Sequence, residues 1–163
     1  MLHERAPRFS DALAELPDHA GEGDVAEQLV QVARAAVPFY RRSFPMAASL
    51  FASPDLLAAH RQKLDIETAG PQKATEHLAR YLGAEQRLGR VAPTVGPDAA
   101  AELLIGACVH RAFLPLFFAP GAPDDTLRPE NDERFAQEIV RTLSGHPASR
   151  PEIYRPGTPR PRR

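Results

Sequence analysis

Six histidines, one cysteine and a carboxylate at position 85 are the residues of this 163-residue chain from which chemistry could be built. His60, His77 and His110 fall on three different expected helices, so their imidazoles could in principle converge on a metal. Helix faces turn only some of them inward, and none of the six histidines has the glutamate three residues before it that di-iron bundles use. No phosphate-cradling glycine loop, paired-cysteine motif or His-Glu-x-x-His run is present. Cys108 lies in the most apolar stretch of the chain, where a thiolate is disfavoured, and reads as a small buried hydrophobe. Glu85 shares a helical stripe with Leu78, Tyr81 and Leu82, so its carboxylate must find a partner. A structural ion pair satisfies that need, as does recognition of a ligand. His110 is expected to serve as a hydrogen-bonding group in a core or pocket. No catalytic residue, metal or cofactor is expected.

The residues must be positioned by helices. Pro97–Phe118, PDAAAELLIGACVHRAFLPLFF, opens with proline at its first position and Asp98 beside the positive end of the dipole. After that start only Glu102, His110 and Arg111 are polar, and they do not share a face. A helix apolar nearly all round has to be covered on most sides, so this one is expected to face its own core on one flank and a partner or ligand on the other. Around it, Asp24 with Glu27 has the capping-box spacing, and Leu29, Val32, Ala36 and Phe39 continue one face. Pro38 is expected to kink that helix and Pro45 to bend or restart it, opening space among Phe39, Phe44, Met46, Leu50 and Phe51. Ser53-Pro54 starts another helix, with Leu56, Leu57, His60 and Leu64 inward. Ala74 to Leu88 forms a further one, ended by Gly89 in the left-handed conformation. A last amphipathic helix runs from about Pro129 to Ser144. With no useful strand alternation, the fold class is all-α.

Length suits one well-cored domain, and 43% hydrophobic with 25% charged residues is the balance of a soluble globular protein. A net charge of -1 gives no general attraction to nucleic acid or anionic membrane. The lone cysteine fits a reducing cytoplasm, and no partition into membrane is expected. Residues 1–23 are expected to form an N-terminal helix and loop, 24–145 the main domain, and 146–163 a disordered Pro/Arg-rich tail. Arg155, Arg160, Arg162 and Arg163 in that tail could touch phosphates, or simply be solvated.

Four blocks in order carry a resemblance: FPMAASLFASPDLLAAHR, the L-x-x-Y-L-x-A-E-x-x-x-G-R run from Leu78 to Arg90, PDAAAELLIGACVHRAF, and FAQEIVRTLSG. Together they resemble the C-terminal domain of the tetracycline-repressor (TetR) family of bacterial transcriptional regulators, from about Asp24 to Gly145. The resemblance implies an effector-binding and dimerisation domain whose last two helices, 97–118 and 129–144, pair with a second subunit as a four-helix bundle. It implies interface positions at Ala100, Leu104, Ala107, Arg111, Phe135, Ile139 and Leu143. It also implies a pocket for a small hydrophobic ligand near Phe39, Phe44, Leu50, Phe51, Leu78, Tyr81, His110, Phe113 and Phe117. The partners expected are therefore a second copy of the chain and a small hydrophobic molecule. The family's helix-turn-helix head, which enters the DNA major groove, has no counterpart in residues 1–23. DNA contact is expected only through such a head, and the chain is either a piece of a longer regulator or a headless form. Two rival readings are a helical enzyme using His110 with Glu85 and a structural interaction module whose cavity is filled.

Overall fold

The computed structural model describes residues 9–67, 72–118 and 128–144, of which 63–67 are described by backbone alone. Helix α1 (Phe9–Glu15) runs into a 3-10 turn (Leu16–His19). There follow α2 (Val25–Phe51), α3 (Pro54–Glu67), α4 (Gln72–Arg87) and α5 (Pro97–Phe113), which ends in a 3-10 turn (Leu114–Phe117). A short 3-10 turn (Pro129–Asn131) leads into α6 (Asp132–Leu143). Among the described residues every regular element is helical, as expected for an all-α domain. The expected tail lies outside the described residues.

Helix starts follow local chemistry. The Asp24 side chain accepts from the Glu27 amide at 2.9 Å, which fills one of the orphan donors of the first turn of α2. Ser53 and Pro54 open α3, and Gly96-Pro97 opens α5. Of the bend or restart expected at Pro45, the restart does not occur: α2 is one helix of 27 residues through both Pro38 and Pro45. Each proline removes one amide donor; Leu29, Val32, Ala33, Ala36 and Val37 bury one face ahead of Pro38, and Phe39, Tyr40 and Phe44 between the two prolines pack against the same core. Near the C-terminal half, the hydroxyls of Ser43 and Ser49 donate back to the carbonyls of Phe39 and Pro45.

Helix α5 is the centre of the bundle. It packs against α2 on one side and α4 on another, with α6 lying across α2 and α5. Its inner face is Ala101, Leu104, Ile105, Cys108, Arg111 and Ala112. Ala33 and Ala36 of α2, Ala101 and Ala112 of α5 and Ala136 of α6 have no exposed surface, so small side chains set close helix approaches at the core. Phe9, Leu13 and Leu16 from the N-terminal segment belong to this same core.

A charged cluster in the core ties three helices together. Arg111 Nε donates to Asp132 Oδ1 at 2.7 Å, and Arg41 Nη1 reaches the other carboxylate oxygen at 2.9 Å. The Arg111 guanidinium also lies 4.7 Å above the Phe135 ring, a cation–π geometry. This cluster joins α2, α5 and the start of α6. The helical run Pro97–Phe117 is long and apolar enough to cross a membrane by length and composition alone. Its inner side, however, carries that buried ion pair and packs into the core.

Burial pushes the Cys108 thiol up from 9.0 to about 12, with Asp132 adding to the shift. A folded-state value above the unfolded one means the neutral thiol favours the fold. That contribution is complete below the ordinary value and is lost as pH climbs towards the raised one. Cys108 is therefore expected to resist Ellman's reagent in the native protein at mildly alkaline pH and to react fully in denaturant. Stability should fall between pH 9 and about 12 more steeply than in Cys108→Ala. Prompt labelling of the native protein would contradict this burial.

Candidate functional site

The block from Leu78 to Arg90 has a definite local structure. Gly89 has φ 75°, the left-handed region that glycine enters without steric cost. The Arg90 amide donates back to the Glu85 carbonyl at 2.9 Å and the Gly89 amide to the Gln86 carbonyl at 3.0 Å. This pair of bonds is a Schellman motif, which brings the side chains five residues apart, 85 and 90, side by side. The usual hydrophobic contact at those positions is replaced by an ion pair, with Arg90 Nε 3.1 Å from Glu85 Oε2.

Glu85 has no exposed surface. Its Oε1 accepts from the Gly21 amide at 3.0 Å, while Arg90 Nη2 donates to the carbonyls of Glu22 and Gly23. Gly21 itself has φ 94°, and a Cβ there would meet Leu88 Cδ1 at 3.3 Å. The end of α4 is thereby bolted to the loop that starts α2. The Oε2 contact with Arg90 is electrostatic and off the donor direction, so this oxygen has charge pairing without an aligned hydrogen bond. The Tyr81 hydroxyl is buried against the Glu85 carboxylate without an aligned hydrogen bond among the described residues. Burial first, and then the neighbouring Glu85 carboxylate, push its pKa up, so the phenol stays neutral.

Beside this bolt lies a cavity of about 430 Å³. Its walls are the first turns of α2 (Asp24, Val25, Ala26, Leu29), Leu82 of α4, and the connector residues Arg90, Val91, Ala92 and Val95. Ala100 and Leu104 of α5 and Leu143 and Ser144 at the end of α6 complete it. Gln86 Nε2 fixes the connector by donating to the carbonyls of Ala92 and Val95, each at 2.8 Å. The volume falls in the range of small-molecule sites, and the lining has their usual character, apolar with a few polar groups. Of the residues expected at a subunit interface, Ala100, Leu104 and Leu143 stand in this wall.

The residues expected to line a ligand pocket are dispersed. Phe44, Phe113 and Phe117 form a chain of rings, with centroids 5.5 and 4.9 Å apart. Phe39 packs on Phe9 at 5.0 Å and Tyr40 at 5.2 Å. Leu78 and Tyr81 are wholly inside the core, Leu50 is half-buried, and Phe51 is 74% exposed. His110 is exposed on the outer side of α5, whereas Glu85 is sealed inside, so the two do not form a joint polar site. His60 and His77 sit on α3 and α4, with His77 against Arg80. Among the described residues no group of three or more His, Cys, Asp or Glu is arranged to hold a metal.

The interface candidates divide as well. Leu104 is 1% and Arg111 7% exposed within a single chain, and both face their own core. Ala107, Phe135, Ile139 and Leu143 are half-buried. The outer stripe of α5 is instead Ala99, Leu103, Gly106, His110 and Phe113, all exposed, and a Cβ at Gly106 would meet nothing within 4 Å. Leu103 is 61% and Phe117 70% exposed. The residues that sequence reasoning missed are Arg90, Val91 and Val95: the connector read as a link, and only the Gly89-Arg90 step signalled that it turns back onto the core.

Fold and cavity define a helical-bundle domain with a partly open space at one end and one long helix whose outer side exposes Leu103 and Phe113 beside Glu102 and His110. Residues 27–146 match the family model described as "AefR-like transcriptional repressor, C-terminal domain", one of the TetR C-terminal domains. The chain belongs to that family. No curated protein and no solved structure matches it.

The bolt predicts a contrast between neighbouring substitutions. Glu85→Gln removes the charge at a wholly buried position that meets both Arg90 and the Gly21 amide, and should cost about 2 kcal/mol, the worth of a charge-assisted contact. Tyr81→Phe removes a hydroxyl that faces Glu85 without an aligned hydrogen bond and should change stability by less than about 1 kcal/mol. Urea unfolding of the two variants checks this, and an equal loss in both would contradict the assignment.

Proposed function

We propose that this chain is the effector-binding and dimerisation domain of a TetR-like transcriptional regulator, acting as a soluble cytoplasmic protein. Family membership supports the class, and the outer face of α5 is the observation that carries the pairing. A row of Leu103, Gly106 and Phe113 with exposed Phe117 is an apolar patch of the kind that a protein partner covers. A second copy is the occupant that family membership favours, with Gly106 allowing close approach of the partner helix. Ala107, Phe135, Ile139 and Leu143 border the contact in this reading, while Ala100, Leu104 and Arg111 serve their own subunit.

The effector is a small, mainly apolar molecule, and the cavity between α2, α4, α5 and α6 receives it. The aromatic chain Phe44–Phe113–Phe117 connects the outer face of α5 to the far half of α2. Binding acts by population shift: a molecule that fits one arrangement of these helices better favours that arrangement in both subunits. Where a helix-turn-helix head is attached, the change alters the spacing of the two heads and hence their fit to successive major grooves. DNA contact is the work of such a head. The domain itself performs no catalysis in this account.

Sedimentation equilibrium at micromolar concentration tests the pairing, and a dimer is expected. Leu103→Glu places a charge in the contact and should give a folded monomer with unchanged helical circular dichroism. Leu104→Ala should instead destabilise the fold by about 2–5 kcal/mol, since it opens the core of one subunit. A wild-type monomer, or a Leu103→Glu dimer of unchanged stability, would overturn the assignment of this face.

A further inference from the structure

We infer that the cavity beside Arg90 selects an uncharged, mostly apolar molecule carrying one hydrogen-bond-accepting carbonyl, and rejects the corresponding carboxylate. The inference rests on that cavity being the effector site. Three side chains in its wall carry polar groups: Asp24, Arg90 and Ser144. The Ser144 hydroxyl is spent on the Val140 carbonyl at 2.9 Å. Asp24 is an acceptor only, with one oxygen on the Glu27 amide. Arg90 uses Nε on Glu85 and Nη2 on the Glu22 and Gly23 carbonyls. Its Nη1, which carries two N–H groups, has no hydrogen-bond partner among the described residues. The guanidinium is held rigidly from its other side and is partly open, so it can donate to a guest without reorganising.

Charge decides between a neutral and an anionic guest. Arg90 is already faced by the buried Glu85 carboxylate, and Asp24 stands in the same wall. Two carboxylates against one guanidinium leave the site net negative. Asp24 also caps α2, so the positive end of that helix is already met. An incoming carboxylate would be repelled and would lose its hydration on entering an apolar space. A ketone, ester or amide carbonyl accepts from Arg90 without that repulsion. Its hydrocarbon part covers Leu29, Leu82, Val91 and Val95.

The test uses the full chain and three probes of similar length: methyl hexyl ketone, octane and octanoate. Thermal shift and titration are read for the wild type, for Val95→Phe, which fills the space, and for Arg90→Gln. The ketone should raise the wild-type Tm and bind about tenfold more tightly than octane or octanoate, the worth of one charge-assisted hydrogen bond. Val95→Phe should abolish the shift, and Arg90→Gln should bring the ketone down to the level of octane. Should Arg90→Gln fail to fold, NMR of the wild-type Arg90 side chain takes its place, and its resonances should move when ketone is added. Octane or octanoate equalling the ketone, or an unmoved Arg90 signal, would overturn the inference while leaving the cavity as the effector site. If no probe shifts the wild type and Val95→Phe behaves identically, the effector site itself is wrongly placed and the inference falls with it.

Discussion

A helix that is apolar on two opposite sides cannot satisfy both by its own fold, and α5 is such a helix. One side is spent on α2, α4 and α6 through Ala101, Leu104, Cys108 and Ala112. The other side presents Leu103 and Phe113 to solvent in a single chain. Apolar surface removed from water contributes roughly 25 cal/mol per Å², so covering this stripe gives a second copy a direct driving force. The division of α5 into a core side and an exposed side follows from which residues point each way.

The inward side is fixed by two polar anchors at opposite ends of the bundle. Near the end of α5, Arg111 is held by Asp132, which Arg41 also grips, so α2, α5 and α6 meet at one carboxylate. At the other end the Schellman turn sets Glu85 beside Arg90 and ties α4 to the loop ahead of α2. Buried pairs of this kind contribute little net stability compared with apolar substitutes, but breaking one is costly, which makes them effective at excluding other arrangements. Between the second anchor and the core lies the cavity, so its walls include a rigid polar corner. A molecule bound there touches α2, α4, α5 and α6 at once.

Much of this was legible in the residues alone. Helix starts at Asp24, Pro54 and Pro97 and the glycine stop at position 89 were readable because caps, proline and left-handed glycine act locally. The all-α class and the central place of α5 in the core followed from its apolar pattern. Continuity of α2 through Pro45 was not legible, because the packing of Phe39, Tyr40 and Phe44 on the core is a tertiary contact that no local rule supplies. Nor was the phase of α5 on its axis: Glu102 and His110 stand on the exposed Leu103 side, but Arg111, equally polar, turns inward to Asp132, so the polar residues did not mark one face. Aromatic residues near a proline suggested a pocket, yet Leu78 and Tyr81 fill the core and Phe51 faces outward. The cavity wall draws on the connector 91–95, whose return to the core depends on Gln86 and Arg90 acting across a turn.

The claim on which the account turns is that the Leu103 side of α5 is hidden when copies meet. Hydroxyl-radical footprinting of the wild type over a range of protein concentrations reads that side directly, residue by residue. Leu103 and Phe113 should become protected as concentration rises, while Leu88, also exposed but on α4's end, keeps its labelling throughout. Constant labelling of Leu103 and Phe113 at every concentration would show that nothing covers the face, and the account would fail at its root.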